Sequence, residues 1–547
     1  PSISTILESL AARQPGKVAV TGVARQIDYA NLNNTANALA QKLILPPGQR
    51  AGRVALLMKH DAPLIAAALG VLKAGQTVVV LNPGDPPFRW QQLLANAMPD
   101  RLITDASLLV SARETGFDLS QILVFPEPED TPTRVPDPGV RVDENDAAFL
   151  VYTSGTTGEP KGVVLTHGSI VHNAWRYALG LGLRPNDRML LSTALSGGQG
   201  VGTTWTALLN GATLCPYAIV EKGAVGLTAW LVEKKVSIFV ATASAFRHLM
   251  LTLSDGEKLS GIRLVRLASE HATSGDHQLF AKHFSLDCQL ATAYSTSETG
   301  NLTLGFYSPT DEVAAGRLPA GKPSPEIALR ICDAAGKVVP RGTAGELVVQ
   351  ARHLSRGYWR NEELTKMRFA EVPGSSPVLR SYKTGDMACW NEKGDLVILG
   401  RADSQVKIRG YRVELGAVEA ALEALDGVAR AVVLPFEFHG GDTQLGTFLI
   451  PTEGTVLDGA KIRRTLMRTL PSAMIPARFS FLESFPLTSH GKVDRQALRQ
   501  LSAPVVGPET NTEPLNDTEE ILAGIWGMAM KRPAVGRRDN FFELGGD

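Results

Sequence analysis

The chain has 547 residues, which is too long for a single hydrophobic core, so several domains are expected. Hydrophobic residues make up 44% and charged residues 20% of the sequence, which is the composition of an ordinary soluble protein. The 55 lysines and arginines balance the 55 aspartates and glutamates. The net charge therefore gives no reason to expect a nucleic acid or an anionic membrane as partner.

The cysteines and the apolar segments narrow the class further. The four cysteines, Cys215, Cys288, Cys332 and Cys389, form no CxxC pair, which favours neither a zinc site nor a disulfide framework. No apolar run approaches the roughly 18 residues of a membrane span, and the residues after Pro1 do not resemble a secretory signal. We therefore expect a cytoplasmic protein without a membrane partner.

The first four hundred residues alternate between short apolar strands and helices. Residues 54–58 read as a strand, residues 64–72 as a helix and residues 77–81 as a second strand, which the turn residues 82–87 close. This alternation is typical of α/β layers with largely parallel sheets. We expect a large layered α/β domain at residues 1–402.

A polar loop follows the apolar residues 147–151. Residues 152–162 read Tyr-Thr-Ser-Gly-Thr-Thr-Gly-Glu-Pro-Lys-Gly, and they offer backbone N–H groups, hydroxyls and one lysine to an anion. Such a loop can bind a polyphosphate. It is not a P-loop, because Glu159 stands where G-x-x-x-x-G-K-[ST] requires lysine. The alternative is an ordinary Gly/Ser/Thr surface turn.

The pattern changes near residue 403 to a compact α+β arrangement. Helices are predicted at residues 415–425 and 459–470, with strands at residues 429–434 and 447–450 between them. We expect a small C-terminal domain at residues 403–501. The polar residues 502–516 contain three prolines and read as a linker. Beyond them, Asp517 and Glu520 resemble a capping pair at the start of a helix over residues 517–530.

Eight motifs occur in a fixed order along nearly the whole chain. They are residues 72–75 with the 82–83 turn, 152–162, 294–299, 345–358, 382–386, 400–403, 407–414 and 491–495. Together they resemble the adenylate-forming superfamily, which contains the adenylation domains of nonribosomal peptide synthetases, the acyl-CoA synthetases and the luciferases. The resemblance implies an ATP-dependent acid–thiol ligase. ATP converts a carboxylate to an acyl-adenylate with release of pyrophosphate, and a thiol then displaces AMP to form a thioester.

The resemblance assigns the phosphates to two lysines and a set of hydroxyls. The β- and γ-phosphates would be bound by Ser154, Thr156, Thr157 and Lys161. Lys492 would bridge the substrate carboxylate and the α-phosphate, which stabilises the negative charge of the transition state. The structural alternative for Lys492 is one of the 55 surface cations.

The nucleoside and the metal would be bound by residues of three other motifs. Tyr294 would stack on adenine, Ser297 would lie beside the α-phosphate, and Glu298 would bind Mg²⁺. Asp386 would accept both ribose hydroxyls, and Arg401 would reach the ribose or a phosphate. The alternatives are a solvated loop acid at Glu298 and a turn-forming acid at Asp386.

Asp403 matches the hinge position of the family, where a backbone rotation would reorient the small domain between the two half-reactions. A simple linker acid is the alternative. The position coincides with the change of pattern, which favours the hinge.

The C-terminal residues 517–547 resemble the start of a peptidyl carrier domain. Its phosphopantetheine serine would follow Asp547, and the alternative is a helix that closes the small domain. The resemblance implies transfer to a carrier domain in cis, with downstream synthetase domains and an MbtH-like helper as further partners. No condensation domain precedes Pro1, which suits a loading module.

The substrate pocket departs from the family pattern. Amino-acid-specific adenylation domains carry a Phe-Asp pair before an Ala-Leu-Leu-Asn-Gly turn, and the aspartate neutralises the substrate ammonium. Counting back from residues 207–211 places Gly197 and Gly198 there. A buried ammonium without a partner would cost several kcal/mol. We therefore expect an α-keto, α-hydroxy, aryl or fatty acid. A shifted alignment and a compensating acid such as Glu270 are the rival readings.

The resemblance also marks a wider set of pocket residues. One of them, Arg266, interrupts the apolar strand 262–268, and it could pair a second carboxylate or a keto oxygen if it faces the pocket. Facing outward, as charged residues usually do, it would carry no information. The whole pocket set is Gly198, Gln199, Gly202, Ser244, Arg266, Ala268, Ala293, Asn301 and Leu302.

Two other functions remain open. A stand-alone acyl-CoA or aryl-CoA ligase would use free coenzyme A in place of a carrier domain. A regulatory or scaffold protein with a decayed ligase fold would have lost key residues. The positions Lys161, Glu298, Asp386 and Lys492 are all filled, which favours an enzyme.

Overall fold

The structure of the protein is a computed structural model, which describes residues 1–23, 25–46, 52–126, 134–153, 160–224, 226–401, 405–437, 443–452, 454–486, 493–501, 517–530 and 535–536. The chain divides into two compact units, the first extending to Arg412 and the second beginning at Val413. The expected hinge, Asp403, lies outside the described residues. The domain limits drawn from the sequence therefore stay a prediction.

A nine-stranded sheet forms one half of the first unit. Its spatial order is β15-β14-β13-β12-β11-β9-β10-β1-β2, with elements numbered along the chain. The six strands from β13 to β1 run parallel, whereas β2, β14 and β15 pair antiparallel at the edges. The strands are β1 (Val18–Thr21), β2 (Gln26–Asp28), β9 (Arg188–Leu191), β10 (Thr213–Pro216), β11 (Ile238–Ala241), β12 (Leu264–Leu267), β13 (Gln289–Thr296), β14 (Gly300–Tyr307) and β15 (Lys322–Pro323).

A seven-stranded sheet forms the other half, in the order β18-β8-β7-β4-β3-β5-β6. Strands β3 to β6 are parallel to all their neighbours, including β7, whereas the β7–β8 and β8–β18 pairs are antiparallel. The predicted parallel α/β layering is thus confirmed. The strands are β3 (Arg53–Leu57), β4 (Thr77–Leu81), β5 (Arg101–Thr104), β6 (Ile122–Val124), β7 (Ala147–Thr153), β8 (Lys161–Thr166) and β18 (Gly357–Tyr358).

Helices cover both faces of each sheet, which explains why the strands read as unbroken apolar runs. Along β3, Val54 and Leu56 join the core between the sheets, whereas Ala55 and Leu57 join a cluster on the opposite face. Successive side chains of a strand point to opposite faces, so both faces need apolar residues. The helices between the sheets are α1 (Ile3–Arg13), α2 (Tyr29–Leu43), α3 (Ala62–Lys73), α6 (His167–Gly180) and α7 (Gly198–Leu209).

The outer helices complete the layers. Those against the seven-stranded sheet are α4 (Pro87–Ala97) and α5 (Leu109–Glu114). Those against the nine-stranded sheet are α8 (Ile219–Lys222), α9 (Leu227–Glu233), α10 (Ala243–Leu251) and α11 (Ser274–His283).

A third, antiparallel sheet carries part of the site. It contains β16 (Ala328–Cys332), β17 (Gly345–Ala351), β19 (Phe369–Glu371), β20 (Arg380–Trp390) and β21 (Leu396–Arg401), with α12 (Glu362–Arg368) before β19. A two-stranded sheet follows, made of β22 (Gln405–Ile408) and β23 (Tyr411–Glu414).

The second unit has the α+β pattern that the sequence predicts, with one additional strand and one additional helix. Strands β24 and β25 are antiparallel, and β26 joins β25 in parallel. The elements are α13 (Leu415–Glu423), β24 (Val428–Glu437), β25 (Thr443–Pro451), α14 (Gly459–Leu466), β26 (Arg478–Phe481), α15 (Arg495–Leu501) and α16 (Asp517–Met530). Helix α16 has the bounds expected from the sequence. Among the described residues, no helix has the length and apolar character to cross a membrane.

Candidate active site

Asp386 lies at the centre of a buried polar cluster in the third sheet. It stands opposite Arg401 in the antiparallel β20–β21 pair, and only 5% of it is exposed. The Arg401 guanidinium donates a hydrogen bond to Asp386 Oδ1 at 2.9 Å, and the Tyr294 hydroxyl donates to Oδ2. A carboxylate has about four acceptor sites, so both oxygens keep capacity for further donors such as ribose hydroxyls.

Tyr294, on β13, is held as a neutral donor in this cluster. Burial, followed by the charge of Asp386, raises the pKa of the Tyr294 hydroxyl well above its ordinary value. The Lys407 ammonium lies 5.6 Å from the centroid of the tyrosine ring. Burial lowers the pKa of Lys407, while the Asp386 carboxylate opposes that shift. An aromatic face, an acid and two cations therefore meet at one place in the first unit.

Glu298 occupies the turn between β13 and β14 and is 1% exposed. Its Oε1 accepts a hydrogen bond from the Tyr358 hydroxyl at 2.8 Å and lies 3.4 Å from Arg412 Nη1. Burial acts to raise the pKa of Glu298, but the charge of Arg412 and the Tyr358 hydroxyl outweigh it, so the pKa lies below its ordinary value. Glu298 is therefore an ionised carboxylate in the interior, which excludes the solvated-loop alternative.

The second oxygen of Glu298 fits a magnesium ion. Glu298 Oε2 is buried and has no hydrogen-bond partner among the described residues. A buried carboxylate oxygen without a donor is costly unless a cation or a donor occupies that side. Carboxylate oxygens are the protein ligands that Mg²⁺ prefers. Glu298 is thus a suitable ligand for Mg²⁺.

Several predicted residues lie outside the described residues, namely Ser154, Thr156, Thr157, Asp403 and Lys492. The strands that bound the predicted phosphate loop are described, and Thr153 on β7 stands opposite Lys161 on β8. The loop is consequently a connection between two antiparallel strands, with Lys161 at the point where it rejoins the sheet.

Gly198 begins helix α7 and lies against the predicted α-phosphate residue Ser297. A Cβ atom at Gly198 would be 2.9 Å from Ser297 Oγ and 3.0 Å from Ser297 Cα, so a side chain there would require Ser297 to shift. The preceding residue, Gly197, caps the helix without a side-chain hydrogen bond. At the position where the family places aspartate, this chain therefore has a bare helix N-terminus with partial positive charge.

The neighbouring pocket residues pair with one another. The Ser269 hydroxyl donates to Gln199 Oε1. Glu270 accepts from the Ser244 amide at 2.7 Å and the Ser244 hydroxyl at 3.0 Å. The Glu270 carboxylate is therefore already hydrogen-bonded to the first turn of α10, which weakens the case for it as an acid that compensates an ammonium.

The remaining pocket residues line the sheet beneath α6 and α7. Arg266 lies on β12 and is buried, and its Nη2 donates to Asn301 Oδ1 at 3.0 Å. Its burial excludes the outward-facing alternative, and a role of Arg266 in the substrate pocket stays a prediction. Ala268 and Leu302 are fully buried, and Ala293 is half-buried on β13. Gly202 lies on α7, where a Cβ atom would be 3.3 Å from Asn173 Nδ2 of α6.

Sequence reasoning gave no role to four residues that contact these groups. Arg412 and Tyr358 touch Glu298, Lys407 lies over Tyr294, and Asn173 accepts a hydrogen bond from the Asn301 amide at 2.8 Å. The first three lie in motifs used for the resemblance, so the signal existed without an assigned function. Asn173 lies in no motif.

The two layered sheets and the site together define an adenylate-forming enzyme. The AMP-binding enzyme family matches residues 7–359, so the chain belongs to that family. It is an ATP-dependent adenylate-forming ligase, as the sequence predicted.

Curated relatives extend the match over the whole chain. Bacitracin synthase 2 of Bacillus licheniformis is 31% identical over 557 residues, covering 100% of this chain and 21% of the relative. Isonitrile lipopeptide synthase of Mycobacterium tuberculosis is 34% identical over 556 residues, covering 100% of this chain and 21% of the relative. The chain thus spans only a small part of the relatives it matches.

Solved structures share the fold. A holo nonribosomal peptide synthetase protein with adenylation and PCP domains, bound to a vinylsulfonamide inhibitor, has a TM-score of 0.79 and 24% identity, covering 100% of this chain and 90% of that one. The Vibrio cholerae adenylation domain AlmE, in complex with glycyl-adenosine-5'-phosphate, has a TM-score of 0.78 and 19% identity, covering 92% of this chain and 98% of that one.

Proposed function

We propose that the chain activates a carboxylic acid as its acyl-adenylate and transfers the acyl group to the phosphopantetheine thiol of a carrier domain. The observation that carries this proposal is the arrangement around β13, whose Tyr294 donates to Asp386 and whose following turn holds Glu298 at 3.4 Å from Arg412. A metal-ligand candidate and a ribose-acceptor candidate therefore share one buried site. A nucleotide with its metal requires both groups within one site.

The chemistry follows from the charges to be compensated. A carboxylate oxygen attacks the α-phosphorus, the bond to the bridging oxygen breaks, and pyrophosphate leaves. The attack brings two anions together, so cations that are already in place lower the barrier. Lys161 and Lys492 are the proposed cations, and Ser154, Thr156 and Thr157 the proposed hydroxyl donors. Bound Mg²⁺, with Glu298 as ligand, would add positive charge beside the phosphates.

The nucleoside would be oriented by the Asp386 cluster. The carboxylate accepts the ribose hydroxyls, Arg401 and Tyr294 hold it in one orientation, and Ser297 lies beside the α-phosphate. Asp386 lies on β20, which is paired with β21, so its position is fixed. A fixed position favours a near-attack geometry. In the second half-reaction the carrier thiolate attacks the acyl carbon, the carbon–oxygen bond to AMP breaks, and AMP leaves. Reorientation of the small domain about Asp403 belongs to this proposal.

We further propose that the acid lacks an α-ammonium group. A side chain at Gly198 would crowd Ser297, and the aspartate that the family places there is absent. The free N–H groups of α7 favour an oxygen acceptor at that place and disfavour a cation. An α-keto, α-hydroxy, aryl or fatty acid fits these groups. The length of the relatives supports further synthetase domains as partners, with a carrier domain and an MbtH-like helper among them.

Exchange of labelled pyrophosphate into ATP, measured over a panel of keto, hydroxy, aryl, dicarboxylic and amino acids, tests the proposal. Lys492→Ala should abolish exchange with the preferred acid, whereas the exposed Lys393→Ala should not change it. If no acid supports exchange, or if Lys492→Ala retains it, the proposed activity is wrong. Exchange with an L-α-amino acid alone would refute the substrate class. A rate increase on adding free coenzyme A would favour the stand-alone ligase.

A further inference from the structure

Arg266 is a charged residue in a strand that is otherwise part of the core. On β12 it stands between Val240 of β11 and Ala291 of β13. Its neighbour two residues earlier, Leu264, belongs to the core that α6 and α7 share, so the arginine faces that same layer. Only 2% of Arg266 is exposed. The chain thus places a full positive charge in a layer where an apolar side chain would cost less free energy to bury.

The Arg266 guanidinium makes few polar contacts within the protein. One nitrogen donates to Asn301, and the group lies 4.5 Å from the centroid of the Tyr177 ring. The other two nitrogens, Nε and Nη1, have no hydrogen-bond partner among the described residues, and none of the described carboxylates forms a salt bridge with Arg266. Buried donors are normally paired, and buried charges are normally matched by a counter-charge.

A second buried cation lies in the same layer. Arg176 of α6 is 1% exposed, and its Nη2 donates to Asn173 Oδ1 at 3.3 Å. The same Asn173 oxygen accepts from the backbone N–H of Asn301, whose side chain accepts from Arg266. The two arginines are therefore linked through Asn173 and Asn301. Arg176 Nε also lacks a partner in the described part of the chain. Two positive groups thus face an interior in which the described residues supply no matching salt bridge.

The unpaired donors extend from Arg266 toward the mouth of the proposed acid pocket. Gln199 Nε2, in the first turn of α7, is buried without a partner among the described residues. Its oxygen accepts from the hydroxyl of Ser269, three residues beyond Arg266. Spare N–H donors thus occur at Arg266 and at Gln199, and they match a ligand with oxygen acceptors at both ends.

We propose that Arg266 binds a second carboxylate of the substrate, so that the acid activated by this enzyme is a dicarboxylic acid. This inference rests on the proposed function, because it assumes that the pocket beside α7 holds the acid. A carboxylate neutralises the guanidinium and accepts from both unused nitrogens in a bidentate contact. A neutral keto or amide oxygen would satisfy a donor but leave the buried charge uncompensated.

The test compares matched acids that differ only at the far end. Pyrophosphate exchange is measured with succinate against butyrate, glutarate against pentanoate, and 2-oxoglutarate against 2-oxopentanoate, with L-glutamate as a separate arm. The wild-type chain should prefer one diacid by about 100-fold or more in kcat/KM, because a site built for a charged group rejects the analogue that lacks it. Arg266→Met should abolish that preference and improve exchange with the matched monoacid. Arg330→Met, at an exposed strand position, should change neither.

Thermal unfolding separates recognition from a structural role. Removal of an uncompensated buried charge should leave the melting temperature of Arg266→Met unchanged or higher. A lower melting temperature with the acid preference unchanged would assign Arg266 to the core and overturn the inference. A wild-type preference for monoacids would overturn it as well. Exchange with L-glutamate that is lost in Arg266→Met would support the role of Arg266 while refuting the absence of an α-ammonium. Absence of exchange with every acid would refute the proposed function itself.

Discussion

Replacing Asp386 by asparagine removes one charge from the centre of the proposed ribose site while preserving the size of the side chain. In the wild-type chain, both carboxylate oxygens accept hydrogen bonds, one from Arg401 at 2.9 Å and the other from Tyr294. Asparagine offers one acceptor oxygen, and its NH₂ group would face a donor on the other side. The variant therefore loses one contact outright and leaves Arg401 without its counter-charge.

The expected loss can be estimated from the hydrogen bonds involved. A hydrogen bond to a charged group contributes about 1.5–3 kcal/mol, so the one ribose contact that asparagine cannot make amounts to about 1.5–3 kcal/mol. That corresponds to a fall of about 10- to 150-fold in kcat/KM for ATP. The side chains of Arg401 and Asp386 are 11% and 7% exposed, so breaking the pair should also destabilise the fold. We expect about 3 kcal/mol from that second effect.

Pyrophosphate exchange at saturating acid, with ATP varied, measures the first effect, and thermal unfolding measures the second. Glu392→Gln is the matched control, because Glu392 is exposed in the turn that follows β20 and should affect neither quantity. The reasoning would be refuted by an Asp386→Asn protein that melts lower but keeps its KM for ATP within about threefold of wild type. Such a result would make the Asp386 cluster a purely structural ion pair.

Three further predictions test other parts of the site. Tyr358→Phe removes the hydroxyl that donates to Glu298 Oε1, the candidate Mg²⁺ ligand. The Mg²⁺ concentration for half-maximal exchange should therefore change by about tenfold, and an unchanged concentration would count against Glu298 as ligand. Burial raises the pKa of Asp85 to about 6, so the stability of the wild-type chain falls as the pH rises from about 4 to 6. Asp85→Asn should remove this fall, so the variant should melt at a higher temperature than wild type at pH 7.5 and at the same temperature below pH 4. Gly300→Ala should destabilise more than Gly336→Ala, because both glycines have a positive φ but only at Gly300 would Cβ meet another side chain, at 2.3 Å; equal melting temperatures would exclude the crowding.

The sequence predicts the layered fold well because its signal is local. Residues 77–81 were expected as a strand and form β4 with the same bounds, since a short run of β-branched and apolar residues that turn residues close has few other solutions. Helix α16 agrees equally well, because a capping pair marks its start. Strand β26 was not expected, because its four residues, Arg-Phe-Ser-Phe, are too short and too mixed in polarity to be distinguished from a loop.

In the site, too, the sequence identifies residues that carry a local signal and misses contacts between distant elements. Motif order brought out Asp386 and Glu298, but their partners come from elements far apart in the chain. Arg412 lies 114 residues after Glu298, and no local pattern predicts that the two charges meet. The direction of Arg266 was equally open, since an arginine in a short strand can face either way. The register with Val240 and Ala291, which decides it, forms only when three strands assemble.

The two proposed determinants of the substrate rest on independent physical grounds and act at opposite ends of the proposed pocket. At Gly198 the relevant fact is steric: a side chain there would crowd Ser297, and the charge that an ammonium would need is missing. At Arg266 the relevant fact is electrostatic: a buried cation has two nitrogens to spare. Specificity is a difference of affinities, and it is strongest where the wrong ligand leaves a buried group unpaired. An amino acid with an apolar side chain would fail at both ends, leaving its own ammonium and the guanidinium uncompensated, whereas a diacid satisfies both. The Gly198→Asp variant alone should therefore not create an amino-acid enzyme, because it would displace Ser297 and still leave Arg266 facing an apolar side chain.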